Sequence, residues 1–121
     1  MTGREWIVDA YGCSAEALKD RGKLDKLFQR LIEVLQLHPV SHAQWHQFPE
    51  PGGLTGFVIL EESHLSCHTF PEHGSMCVNL FCCKPRPEFN FVMLLAREFG
   101  ADNVRVRRID RPYGVPPPQA A

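Results

Sequence analysis

The sequence predicts an α+β domain, a two-layer sandwich of an antiparallel sheet with two helices. Three observations carry that expectation. Apolar residues recur at helical spacing twice, at Leu24, Leu27, Phe28, Leu31, Ile32 and Leu35 and again at Phe91, Val92, Leu95 and Phe99. Between these helices lie three or four short apolar or alternating runs divided by turn-forming residues, the pattern of a strand meander. One further strand at each end completes an order in which both helices pack on the sheet.

Taken in order, residues 5–10 alternate loosely around Trp6, Ile7 and Val8 and predict a first strand that ends at Gly12. The first helix spans residues 24–37. Residues 41–48 alternate enough for a strand, and "PEPGG" at 49–53 breaks regular structure into a loop. Strands follow at 56–61, 64–70 and 75–81, with Pro71 to Gly74 turning the chain between the last two. Pro87 is placed to open the second helix, since proline at a first helical position forfeits no hydrogen bond, and Gly100 to cap its end. Val104 and Val106, alternating with Arg105 and Arg107, form the last strand. A sheet with helices on one face leaves the other face and its edges to cover, and dimerisation is the economical answer.

A chain of 121 residues has the size of one domain, assigned to residues 1–113, with 114–121 a proline-rich tail. Thirteen Lys plus Arg against fourteen Asp plus Glu leave a charge of −1, which gives no electrostatic reason to bind nucleic acid or an anionic membrane. A small molecule is the expected partner. No basic and then apolar leader opens the sequence and no run is long enough to span a bilayer, so a cytoplasmic location is expected. Five cysteines, Cys13, Cys67, Cys77, Cys82 and Cys83, form neither an even disulfide framework nor a C-x-x-C knuckle. They are read as reduced thiols, with no metal site.

The densest chemistry is "LEESHLSCHTFPEHG", residues 60–74, directly after the apolar run 56–60. Each residue there has an ordinary use: Ser63 can bond nearby backbone, a histidine can be a satisfied surface group, and Cys83 beyond it can be a small buried hydrophobe. Together, the hydroxyl of Ser63, the imidazole of His68 and the thiol of Cys83 are a nucleophile, a base and an acid. Geometry opposes a simple reading. Ser63 and His68 are an odd number of residues apart and face opposite sides of an ideal strand, so a bulge or bend must intervene if they meet.

"ESHLSCHTFPE", preceded by "GGLTG" and followed by "NLFCC", resembles the self-processing region of the small bacterial and archaeal S-adenosylmethionine decarboxylases. "GREWIVDAYGCSAEAL" is similar to the family's first strand and the helix after it, so the likeness extends over all but the tail. The resemblance implies the S-adenosylmethionine decarboxylase fold and a pyruvoyl enzyme that makes its own cofactor. Ser63 would attack the carbonyl of Glu62 in an N-to-O acyl shift, and elimination would then cut between Glu62 and Ser63. The products are a β chain of residues 1–62 and an α chain of 63–121 whose first residue, the former Ser63, becomes a pyruvoyl group.

That pyruvoyl group would carry the substrate as a Schiff base and act as an electron sink for decarboxylation, with no exogenous cofactor. By the same resemblance His68 is the processing base, Cys83 the proton donor to the substrate, and Thr55 stands where a serine usually supports the processing intermediate. The added methyl of Thr55 is expected to slow processing. Glu72 matches the carboxylate that holds the ribose hydroxyls, and Phe48 is the candidate for stacking on adenine. In the small enzymes each pocket takes residues from both subunits, so a homodimer of αβ units is implied, with Phe48 a candidate to serve the partner's site.

Two departures bear on substrate. "HQFPEPGG" is one residue longer than the usual loop, and Phe70 replaces a common tryptophan. An L-arginine or L-ornithine decarboxylase on the same fold is therefore an alternative, with Glu50 or Glu72 pairing the distal cation. An unprocessed binding or regulatory homologue is another. Cys67, Cys77 and Cys82 receive no role, Cys82 being assigned to packing.

Overall fold

The computed structural model describes residues 1–119. Its elements are β1 (Thr2–Tyr11), α1 (Ala15–Leu18), α2 (Arg21–Val34), β2 (Gln44–Gln47), β3 (Leu54–Leu60), β4 (Ser63–Phe70), β5 (Ser75–Cys82), α3 (Phe91–Phe99) and β6 (Asn103–Pro112). A 3₁₀ turn, Pro71–His73, joins β4 to β5, and Gly74 at φ 64 supplies the left-handed residue that reverses the chain there. The strands form one six-stranded sheet in the order β2-β3-β4-β5-β1-β6. Every neighbouring pair is antiparallel.

Period-two alternation decides which face of the sheet is covered. Trp6, Val8 and Ala10 of β1, Val58 and Leu60 of β3, Leu65 and Cys67 of β4, and Met76, Val78, Leu80 and Cys82 of β5 join Leu24, Leu27, Phe28 and Leu31 of α2 and Phe91, Leu95 and Phe99 of α3 in one core. Among the described residues the opposite face carries no helix. Trp45 of β2 lies over Gly56, where a β-carbon would collide with its ring, and this lets the indole reach Phe28 at 4.9 Å between centroids. Truncating Phe28 to alanine would cost about 3–5 kcal/mol, a large part of the ~5–15 kcal/mol by which a domain is stable.

Several boundaries differ from expectation for identifiable reasons. α2 starts three residues early because the Asp20 carboxylate accepts from the Lys23 backbone N–H at 3.1 Å. It stops at Val34 although Leu35 and Leu37 are buried. Gln36 turns left-handed at φ 54, and the Leu37 N–H folds back onto the Ile32 carbonyl at 2.9 Å. Pro87 does not open α3. Asn90 does, its side chain accepting from the Met93 N–H at 2.9 Å, so residues 83–90 form an irregular connection after β5. Gly100, at φ 74, caps α3 as expected.

Candidate active site

The connection between β3 and β4 is the tightest possible for an antiparallel pair, because Leu60 and Ser63 are cross-strand partners and only Glu61 and Glu62 lie between them. Two-residue hairpin loops favour Asn-Gly or Asp-Gly, which accept positive φ at the loop positions. Glu61 and Glu62 are not among the positive-φ residues; Ser63 is, at φ 150. Such backbone is essentially a glycine conformation and costs on the order of 1–3 kcal/mol for another residue. The strain therefore sits on the residue that follows the Glu62 carbonyl.

That carbonyl is held. The Cys83 N–H, first residue beyond β5, donates to the Glu62 carbonyl oxygen at 2.7 Å. The Cys83 carbonyl in turn accepts from the Tyr113 hydroxyl at 2.9 Å, which fixes this stretch of backbone from β6's end. Glu62 is buried at 6% exposure, with its carboxylate bonded to the His38 N–H at 2.9 Å, to His38 Nδ1 at 2.6 Å and to Arg86 Nη2 at 3.0 Å. Burial pushes its pKa up, and the hydrogen bonds from His38 outweigh that push, so the net shift is down.

A second group lies on the open face at the other end of β4. Thr55 and His68 are cross-strand partners, with Thr55 Oγ1 and His68 Nδ1 3.0 Å apart. They line a cavity of about 410 Å³ with Phe48, Phe70 and Glu72. Phe48 is 51% exposed, so it belongs to this cavity wall and not to the core. The candidate residues Thr55, His68, Glu72 and Phe48 are thus brought together, as are Glu62, Ser63 and Cys83. Glu50 is not among the cavity's lining residues.

Within one chain the two groups stay apart. Pairing runs without a bulge from Ser63↔Leu60 to His68↔Thr55, and five residues of strand separate Ser63 from His68 by about 17 Å. The bend at Ser63 does not bring His68 to it.

The remaining thiols divide by burial. Cys67 is pushed up to about 12, and Cys77 and Cys82 to about 11, in each case chiefly by desolvation. All five cysteines are free, and Cys82, fully buried, packs in the core while the adjacent Cys83 is half-buried.

The sequence pointed to neither His38 nor Arg86. They reach Glu62 from the segment after α2 and from the connection before α3, and neither "LHPV" nor "KPRPE" carries a motif that marks them.

The family model described as S-adenosylmethionine decarboxylase matches residues 4–112. The chain belongs to the S-adenosylmethionine decarboxylase family. A relative from Moorella thermoacetica, named S-adenosylmethionine decarboxylase proenzyme, is 33% identical over 120 residues, covering 98% of this chain and 94% of that protein. A protein of the same name from Shouchella clausii is 30% identical over 118 residues, covering 97% and 90%. Among solved structures, the adenosylmethionine decarboxylase of Aquifex aeolicus superposes with a TM-score of 0.74 at 23% identity, covering 98% of this chain and 96% of that one. The α+β sandwich of this chain is therefore the fold of that decarboxylase.

Proposed function

We propose that this chain is a self-processing, pyruvoyl-dependent decarboxylase of S-adenosylmethionine, cut between Glu62 and Ser63. The observation that carries the reading is the strained Ser63, at φ 150, next to a Glu62 carbonyl whose oxygen accepts from the Cys83 N–H at 2.7 Å. A donor on that oxygen stabilises the negative charge it gains when Ser63 Oγ adds to the carbonyl carbon. The Glu62–Ser63 C–N bond then breaks, the nitrogen takes the hydroxyl proton, and an ester replaces the amide. Relief of the backbone strain at Ser63 favours that exchange.

Elimination follows when a base removes the Ser63 Cα proton, the Cβ–Oγ bond breaks, and Glu62 leaves as a carboxylate. Addition of water and loss of ammonia leave a ketone at residue 63. The base is His68, with Thr55 bonded to its ring. Since His68 lies about 17 Å along β4 from Ser63, the base at each Ser63 is the partner's His68 in a homodimer. The uncovered face of the sheet supports that dimer, for the face that carries the Thr55–His68 pair also exposes Phe57, Ile59, Phe70 and Ile109.

The residues present fit a pyruvoyl group, since Ser63 supplies its three carbons and the donor on Glu62 assists its formation. When formed, the group supplies an electron sink for loss of carbon dioxide. Around it the chain's own residues bind and protonate. Glu72 offers two acceptor oxygens to a ribose diol, Phe48 offers a flat face to adenine, and Cys83 returns a proton to the substrate carbon. Five free cysteines suit a reducing cytoplasm, and among the described residues no helix is long and apolar enough to cross a membrane.

Intact mass under denaturing conditions tests this reading. Two fragments are expected, one ending at Glu62 and one lighter by one ammonia than a chain beginning with Ser63. A single uncut chain would overturn it. Turnover of S-adenosylmethionine, against L-arginine and L-ornithine, checks the substrate: activity on the amino acids alone would transfer the site to the smaller substrates.

A further inference from the structure

We propose that His38 and Arg86 form a clamp on the Glu62 side chain that positions the Glu62–Ser63 peptide for self-cleavage, a role that rests on Ser63 being the cleavage residue. Three segments distant in sequence converge on this one carboxylate. The chain after α2 supplies the His38 N–H and ring, the connection after β5 supplies Arg86, and the β3–β4 hairpin supplies Glu62 itself. The same connection supplies the Cys83 N–H to the Glu62 carbonyl, so both the side chain and the carbonyl of Glu62 are tied to fixed backbone.

A hairpin loop of two residues is otherwise free to relax. Glu61, its neighbour, is exposed, and a two-residue loop with no glycine or asparagine has no intrinsic preference for the tight conformation. Holding Glu62 by both ends transfers the adjustment to Ser63, which is where the unusual φ is found. Acyl transfer needs the hydroxyl within about 3–3.5 Å of the carbonyl carbon, and a misplacement of about 1 Å can cost roughly 100-fold in rate.

The cluster is not arranged for a cation. His38, Glu61 and Glu62 place ligand atoms within 4.8 Å of one another, but the Arg86 guanidinium already neutralises the Glu62 carboxylate at 3.0 Å. Arg86 Nε is also buried without a hydrogen-bond partner among the described residues, so the guanidinium has a donor to spare when cleavage gives Glu62 a second carboxylate.

The test is a time course of self-cleavage, followed by intact mass, in freshly synthesised chains carrying E62Q, R86M, R86K or H38A. E62Q, R86M and H38A are expected to slow cleavage tenfold or more, with R86K recovering most of the rate. The E62Q/R86M double variant should be no slower than the slower single variant, as for two partners of one interaction. A purely packing role for Arg86 would give additive losses and no rescue by lysine. If wild type cuts and folded E62Q and R86M cut at its rate, the clamp is overturned while the processing reading stands. Wild type that never cuts would overturn both. Should R86M fail to fold, isosteric E62Q decides alone: an unchanged rate in it overturns the clamp.

Discussion

The backbone N–H of Cys83 donates to the carbonyl oxygen of Glu62 at 2.7 Å, linking the end of β5 to the β3–β4 hairpin. Under the proposed mechanism one residue serves two stages, its amide at the bond to be cut and its thiol at the later protonation. The two can be separated. Cys83→Ala keeps the amide and removes the thiol, so it is expected to process normally by intact mass and to lose decarboxylation by about 100-fold or more. Full turnover in the cleaved variant would remove the thiol from the proton-donor role.

The distance between Ser63 and His68 along β4 makes a prediction about assembly. Ser63→Ala and His68→Ala chains should each remain uncut when made alone. Co-expressed with distinguishable tags, the His68→Ala chain should be cut in mixed dimers, because its own Ser63 meets the intact His68 of its Ser63→Ala partner. Absence of cleavage in isolated mixed dimers would sink the shared site.

Thr55 lies 3.0 Å from the His68 ring, close enough to orient it. Removing the hydroxyl in Thr55→Ala should slow processing about tenfold or more in a cleavage time course. Thr55→Ser keeps the hydroxyl and drops the methyl, and should cut at least as fast as wild type.

Glu72 and Phe48 line the cavity beside that pair without a bond to either member of it. If they hold ribose and adenine, Glu72→Gln and Phe48→Ala should raise KM for S-adenosylmethionine by roughly tenfold, the effect of about 1.4 kcal/mol of lost binding. Cleavage should be unaffected in both, as steady-state kinetics beside intact mass would reveal.

The Glu62 carboxylate makes acid stability a readout. Its pKa in the fold lies below the ordinary 4.5, burial raising it and the His38 hydrogen bonds lowering it further. A depressed carboxylate contributes stability that is present above its unfolded pKa and lost as pH falls through the folded one. The groups facing it are His38, Arg86 and, through His38 at 4.0 Å, Glu61. In an uncut Ser63→Ala background, adding Glu62→Gln should lower Tm at pH 7. That gap should close as pH falls below about 4.5. A gap unchanged down to pH 3 would contradict a charged Glu62 in the native chain.

Periodicity alone determined the layers of this protein. Leu24 to Leu35 had to bury one face of a helix, and alternation in β3, β4 and β5 had to send Leu65 and Cys67 to the covered side and His64 and His68 to the other. The residues proposed to react were marked in the sequence only by the resemblance of its Glu-Ser-His, His-Thr-Phe-Pro-Glu and Leu-Phe-Cys-Cys motifs to the family. Capping was less legible, since Pro87 and Asn90 both suit a helix start and only the hydrogen bond to Met93 separates them. What the tertiary structure decided was which residues meet. His38 and Arg86 each lie 24 residues from Glu62, and only the path of the chain around the sheet brings them to one carboxylate. The same sheet keeps Ser63 away from His68, because a straight, regularly paired strand holds five residues at full extension, a separation that linear proximity in the sequence conceals.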